Sequence, residues 1–385
     1  MDFELSEELK MIQSLARDFV NERLKPLERD LLGRAADLSD ARAYPPAEKE
    51  AELVEMVREM GLWGVGVPEE LGGVGLDTLG ICLVEEELAQ TVVPFRFGDV
   101  TPILFDCNEE QREKFLLPAL NYEKKPYLAL MESDGSGDPS GVKMKAKKAD
   151  GYFLLNGKKL SLSRASGDYF AVVFAGTDEG ITCFLVDKDT PGFSVAGGGE
   201  KTGWLAQVKE PMTLVFKKCR VPVENVLGKE GKAFHLGEKW LPRRRVVRGA
   251  RCVGIARRLL DEATVQAQSL ETFGQPVSRR ASVRAALADI AMNIQAARLM
   301  VYEAASNSDI GKTIKRKAGM VKLYTTQMVQ NVADRVAHIF NGPPYIKGLL
   351  MERLCRRALE DRAIEFTLER QRNIIAGDIL KGLKV

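Results

Sequence analysis

GLWGVGVPEELGGVGL, from Gly61 to Leu76, decides how the first part of the chain divides. Its glycines and Pro68 forbid one continuous helix, because both residue types are the strongest local breakers of helical structure. On either side the pattern is helical, over Ala51 to Met60 upstream and Leu79 to Ala89 downstream. Further upstream, Leu9, Ile12, Leu15, Phe19 and Val20 recur at mostly three- and four-residue steps from Ser6. Glu7 and Glu8 fall in the first turn, where they favour the helix dipole, so this spacing predicts an amphipathic helix. Residues 1–122 therefore read as a helical domain.

Around Pro126 the pattern changes to short β-type runs, Tyr152 to Leu155, Tyr169 to Ala175, Ile181 to Val186 and Met212 to Phe216. Asn156-Gly157 follows the first run and reads as a hairpin turn, since both residues tolerate positive φ. Residues 123–228 are thus expected to form an antiparallel β domain, a barrel or sandwich. Beyond Gly228 helical periodicity returns over Arg243 to Gln268, Arg280 to Ala305, Thr313 to Phe340 and Leu349 to Lys381, so residues 229–385 read as a bundle of four or more helices. The expected class is mostly α with a central β domain.

Composition narrows the function. Lys and Arg total 56 against 54 Asp and Glu, a net charge of +2 that gives no electrostatic case for nucleic acid. No apolar run approaches the ~18 residues of a membrane span. The opening Met1-Asp2-Phe3-Glu4 is acidic, so no secretory or transit signal is expected and the cytoplasm is the expected address. The 6 cysteines are scattered without a close pair, which argues against a disulfide framework or a zinc site. With only 2 histidines, His235 and His338, a metal cluster is not expected. The arginines at 243, 244, 245, 248 and 251 read first as a solvated or subunit-facing helix face.

Six segments in order carry a resemblance that covers essentially the whole chain. They are the opening MDFELSEELKMI; GLWGVGVPEELGGVGL followed by VEEELAQ; MESDGSGDPSG (Met131 to Gly141); NGKKLSLS (Asn156 to Ser163); VPVENVLGKEGKAF (Val221 to Phe234); and TFGQP (Thr272 to Pro276). Together they resemble the acyl-CoA dehydrogenase family. The resemblance implies FAD as cofactor, an acyl-CoA thioester as substrate, and an electron-transferring flavoprotein as partner. It also implies a homotetramer, because the family shares its flavin site between subunits, and a role in fatty acid or organic acid degradation.

Desaturating a thioester between Cα and Cβ needs a base for the α-proton and an acceptor for the β-hydride. No G-x-G-x-x-G follows a strand and opens a helix, so a nicotinamide is not indicated. A carboxylate buried against thioester and flavin gains the raised pKa a base needs. By resemblance that base is Glu365, in IEFTLERQR (Ile364 to Arg372), with Thr367 beside it as a flavin contact. Some relatives carry the base just before an arginine on the first bundle helix; here that arginine aligns with Arg245 and Arg244 precedes it, so the alternative base is absent.

The resemblance assigns flavin contacts to Met131, Ser163, Thr272, Phe273, His338 and Gly342, and substrate contacts to Gly137 and Arg245. Departures accumulate at these positions. Met131 stands for the family's threonine, Gly137 for a serine, Ser161 for the tryptophan beside the flavin, and Phe366 for a glycine next to the base. Leu270 replaces an arginine that a neighbouring subunit offers to the pyrophosphate, which removes a charge-assisted contact. That loss keeps a rival in view, a diverged subunit of a heteromeric dehydrogenase with an incomplete FAD site. The same scaffold also admits a flavin monooxygenase or a non-catalytic protein.

Overall fold

The computed structural model describes residues 4–35, 41–132, 141–161, 168–196, 212–238, 240–360 and 368–382. The first helix, α1 (Glu7–Phe19), begins as expected, with the Ser6 side chain accepting from the Leu9 amide at 3.3 Å. A π-helical turn leads into α2 (Lys25–Arg34); α3 (Ala47–Glu59) and α4 (Thr78–Leu88) flank the glycine-rich segment. Two short helices, α5 (Glu109–Gln111) and α6 (Leu117–Leu120), close this part. Ile12, Ala16 and Phe19 form the buried face of α1, and Phe19 meets Phe97 edge-on at 5.3 Å between ring centroids.

The central sheet contains β1 (Lys124–Ala129), β2 (Lys145–Ala149), β3 (Tyr152–Ser161), β4 (Asp168–Thr177), β5 (Gly180–Asp187), β6 (Phe193–Ala196), β7 (Met212–Pro222) and β8 (Val226–Leu227). Its order is β6-β7-β3-β2-β4-β5-β8, and β1 pairs with β4. Most neighbours are antiparallel, as expected, but two pairs depart: β1 runs parallel to β4 from Lys124↔Asp168 to Ala129↔Val173, and β2 meets β4 in parallel at Lys145↔Gly176. Alternate residues of β4 face different cores. Phe170, Val172 and Phe174 join the cluster of the N-terminal helices, whereas Ala171, Val173 and Ala175 pack with Tyr127, Phe153 and Phe184.

Asn156-Gly157 does not turn the chain. Both residues lie inside β3, where the register to β7 shifts between Leu155 and Gly157, the mark of a β-bulge. Gly157 has φ +149°, and a Cβ there would lie 2.9 Å from the Met144 side chain. The Asn156 side-chain oxygen accepts from the Lys218 amide at 2.8 Å and so satisfies the disrupted ladder. The β2–β3 connection instead uses Asp150-Gly151, between the paired Ala149 and Tyr152, with Gly151 at φ +74°.

The C-terminal part comprises α7 (Leu241–Ser269), the hairpin β9 (Glu271–Thr272) and β10 (Gln275–Pro276), then α8 (Ala281–Asp309), α9 (Lys315–Phe340), α10 (Leu350–Glu360) and α11 (Leu368–Leu380). The last predicted helix is therefore described in two pieces. Ion pairs fix the antiparallel packing of α8 on α9: Asp289 meets Arg335 at 2.7 Å near one end, and Glu303 meets Lys317 near the other. Small residues let α7 pass close to its neighbours, and its Gly254 touches the Glu86 carbonyl of α4 so closely that a Cβ would sit 2.0 Å away.

Three consecutive buried glutamates make α4 the hub between the first helices and the bundle. Glu86 receives Arg257 at 2.8 Å and Arg298 at 2.9 Å, and Glu87 receives Arg17 at 3.1 Å and Arg257 at 3.2 Å. Asp309, at the end of α8, accepts from the Thr78 and Leu79 amides and covers the positive end of α4. The architecture is mostly helical with a central β sheet, and no described helix is long and apolar enough to cross a membrane.

Candidate active site

A cavity of ≈ 680 Å³, counting its open mouth, lies where α4 meets the first turns of α7. Helical spacing builds both walls. Ile81 and Glu85 sit four apart on α4, and Arg244, Arg248 and Arg251 recur at the steps of one face of α7. The segment after α4 adds Arg96, Phe97, Asp99 and Val100, and Phe105 meets Trp240 edge-on at 5.3 Å at the start of α7. The arginine run is therefore not a solvated face. The α7–α4 crossing turns it inward, and Arg251 is buried.

Glu85 is the acid in this wall. Arg96 approaches it at 3.2 Å and Arg251 at 3.7 Å, while Arg96 also reaches Asp99 at 3.7 Å. Burial pushes the Glu85 carboxyl above its ordinary value, against the opposing pull of Arg251. Arg243 reaches back to the Leu76 carbonyl and ties the glycine-rich segment to α7. Arg245 is only 4% exposed. One residue further on it points about 100° around the helix from Arg244, and it does not line the cavity.

A second group of predicted positions gathers at the end of β3. Met131 is exposed and forms an isolated bridge with Leu160, whose amide donates to the Met131 carbonyl at 2.8 Å. The next residue, Glu132, is held by the wholly buried Lys159 at 2.7 Å and by the amides of Met144 and Lys143 at 2.9 and 3.0 Å. Burial works to raise the Glu132 carboxyl, but the Lys159 ammonium and the two amides outweigh it and hold it below its ordinary value. Sequence reasoning misses this pair, although a lysine at an inward position of a strand signals a buried counter-charge. At the last residue of β3, the buried Ser161 hydroxyl has no hydrogen-bond partner among the described residues. Gly137, Ser163, Glu365 and Thr367 lie outside the described residues.

Thr272, Phe273, His338 and Gly342 cluster elsewhere. Phe273 caps the β9–β10 hairpin at φ +55° and is 97% exposed, with Arg280 over its ring at 6.0 Å. His338 is exposed on the last turn of α9, and Gly342 follows in open space. The Asp289–Arg335 pair puts the end of α9 beside the start of α8, hence at the hairpin end of the bundle. Arg245 lies near the start of α7, which ends at Ser269 beside the hairpin, a separation of roughly 36 Å at 1.5 Å per residue.

Three family models match in the same order as these parts: the acyl-CoA dehydrogenase N-terminal domain over residues 6–123, its middle domain over 128–218 and its C-terminal domain over 234–380. The chain belongs to the acyl-CoA dehydrogenase family. It is 30% identical over 393 residues to the mitochondrial short-chain specific acyl-CoA dehydrogenase of Mus musculus, covering 99% of this chain and 92% of the relative. It is 30% identical to the caffeyl-CoA reductase-Etf complex subunit CarC of Acetobacterium woodii, covering 98% and 99%. Among solved structures, an acyl-CoA dehydrogenase complexed with FAD from Bacillus anthracis superposes with a TM-score of 0.83 at 26% identity, over 98% of this chain and 67% of that one.

FAD is the cofactor of this family. The residues fit it at two places. The buried Ser161 hydroxyl at the end of β3, without a hydrogen-bond partner among the described residues, offers a donor and acceptor, and the Phe273 hairpin exposes an aromatic ring and backbone.

Proposed function

We propose that this chain is an FAD-dependent acyl-CoA dehydrogenase that removes the α-proton and β-hydride of an acyl-CoA thioester and passes the electrons to an electron-transferring flavoprotein. The observation that carries the reading is the cavity between α4 and the first turns of α7, in a chain matching all three domain models of the family. Domains 1–122, 123–228 and 229–385 form the reading's framework. When bound, FAD supplies the hydride acceptor. Glu365 takes the α-proton, with Thr367 beside it; Gly137 binds the thioester; Met131 and Ser163 lie along the flavin; Arg245, buried and off the cavity lining, is not retained as a substrate contact. The Lys159–Glu132 pair positions the strand end from which Met131 and Ser161 are presented. Thr272, Phe273, His338 and Gly342 reach the flavin of a neighbouring copy, which the exposure of the Phe273 ring supports, and a homotetramer is the assembly that the family resemblance implies.

Glu365→Gln tests the base. The variant retains FAD and thioester binding and loses anaerobic bleaching of the flavin by substrate. Bleaching at the wild-type rate removes Glu365 from the mechanism.

One observation favours a second reading. Leu270, where the family has its pyrophosphate arginine, packs against the bundle core. A related partner subunit would then complete the FAD site, and copurification of a second chain of the same family distinguishes this heterotetramer from the homotetramer.

A further inference from the structure

Strands β2, β3 and β7 contain lysine and arginine but no aspartate or glutamate. Two of these cations are satisfied, Lys159 by Glu132 and Lys148 by Glu230 at 2.6 Å. The others, Lys145, Lys147, Lys158, Lys217, Lys218 and Arg220, are exposed, and none has a carboxylate partner among the described residues. Register places them on one surface. Lys147 faces Leu154, which faces Arg220, and Lys145 faces Asn156, whose side chain accepts from the Lys218 amide. The alternate residues Ala146, Phe153, Leu155, Cys219 and Val221 belong to the inner core, so the cations point outward. On β4 the outer positions Phe170, Val172 and Phe174 are covered by the N-terminal helices, whereas on β2, β3 and β7 the cationic positions are left open. Neighbouring strands lie roughly 5 Å apart and alternate residues roughly 7 Å apart, so the cations repel one another. The acids that border this face in sequence, Asp150 in the β2–β3 turn and Glu224 after β7, both stand at its Tyr152–Pro222 end. With a net charge of +2 for the whole chain, the concentration is local.

We infer that this outer face of the β domain docks reversibly on an anionic lipid surface. Charge complementarity selects an anion, and the make-up of the face selects the kind. All but one of the cations are lysines, compact and strongly hydrated point charges without the fork that reads a single carboxylate or phosphate. Protein interfaces are depleted of lysine and rest on aromatic and arginine anchors set in pockets. Tyr152 is the one aromatic at the outer positions of these three strands, and it is half-buried beneath Arg220 at 5.2 Å, so the face lacks the stacking platform of a single-stranded nucleic-acid site. A negatively charged bilayer instead attracts each lysine within a Debye length and needs no fixed partner for it. Charge without an inserted apolar chain gives an attachment that salt reverses. The inference stands apart from the dehydrogenase reading, because none of these residues lines the cavity between α4 and α7.

Cosedimentation of the full-length, FAD-loaded protein tests this, using phosphatidylcholine vesicles with and without about one-third phosphatidylglycerol. The expected result is at least about tenfold tighter binding to the anionic vesicles at about 0.05 M salt, lost at about 0.5 M. Lys147→Gln combined with Arg220→Gln weakens that binding about 25-fold, at roughly fivefold per charge. A second pair, Lys145→Gln with Lys217→Gln, does the same. All four side chains are exposed, so both variants keep their FAD content and their unfolding midpoint. Lys312→Gln, an exposed lysine between α8 and α9, is the control for net charge and leaves binding within about twofold. Equal binding to neutral and anionic vesicles, or to neither, overturns the inference. So does a loss in Lys312→Gln as large as the loss per charge in the paired variants, which would assign the effect to net charge. Oligodeoxythymidine or polyglutamate that binds the same face more tightly than the anionic vesicles would also overturn it, in favour of nucleic acid or an acidic protein segment.

Discussion

Gly254→Ala is the sharpest probe of how the cavity is walled. At this position α7 crosses α4, and an alanine Cβ would lie 2.0 Å from the Glu86 carbonyl oxygen and 2.9 Å from the Ala89 Cβ. Contacts under 3.0 Å are essentially never seen, so α4 must retreat by about 1 Å. The obstacle is backbone and cannot rotate away. Overpacking of this kind costs roughly 1–3 kcal/mol, and replacing a mid-helix glycine by alanine returns about 0.5–1 kcal/mol of helix stability. Retreat of α4 also stretches the Glu86 pairs to Arg257 and Arg298, which belong to the bundle side. The expected net loss is about 1–2 kcal/mol, read as a lowered urea midpoint with unchanged slope at fixed protein and FAD concentration. Thioester affinity falls with it, since Glu85 and Ile81 ride on the displaced helix. An alanine variant as stable as the wild type, or more stable by the propensity gain, would refute the close crossing.

Glu86→Ala leaves Arg257 and Arg298 without their shared carboxylate, while Arg257 keeps Glu87. Breaking a buried pair costs roughly 3–5 kcal/mol, and the lower end is expected here in denaturant unfolding; a loss under about 0.5 kcal/mol, typical of surface sites, would contradict the hub. For pH, the sign follows from Glu132, whose folded pKa lies below its ordinary 4.5. Its stabilisation is complete above about 4.5 and is lost as pH falls through the depressed folded value. Glu132→Gln therefore has a smaller drop in stability on acidification than the wild type, measured by denaturant midpoints between pH 6 and pH 3. A parallel acid profile in the variant would show that the Lys159 pair contributes nothing.

Much of the fold was legible because hydrophobic periodicity is strongest in long amphipathic helices. The run read from Arg280 becomes α8 starting at Ala281, and that read from Arg243 becomes α7 starting at Leu241. The strands fared less well for local reasons. KAKKA, which forms β2, offers almost no apolar alternation, and Pro126 reads like a boundary although it lies within β1, whose ladder partner among the described residues is β4 alone. Asn156-Gly157 has the chemistry of a turn and the bulge uses the same chemistry, so only the pairing to β7 tells the two apart.

The site divides similarly. The arginines of α7 were visible, but whether they face water or a cavity depends on the crossing with α4, which no spacing within one helix encodes. Three adjacent glutamates at 85–87 look like a solvated face for the same reason, and their burial follows from arginines supplied by α1, α7 and α8. The role of Leu270 was legible only as a loss, and its packing against the bundle is a tertiary fact.

The absorption spectrum of the protein purified alone, before and after anaerobic addition of acyl-CoA thioesters, tests the central claim most directly. The account predicts a bound flavin whose visible absorbance bleaches with a thioester. Colourless protein that takes up no added FAD, or a flavin that no thioester bleaches, would contradict it.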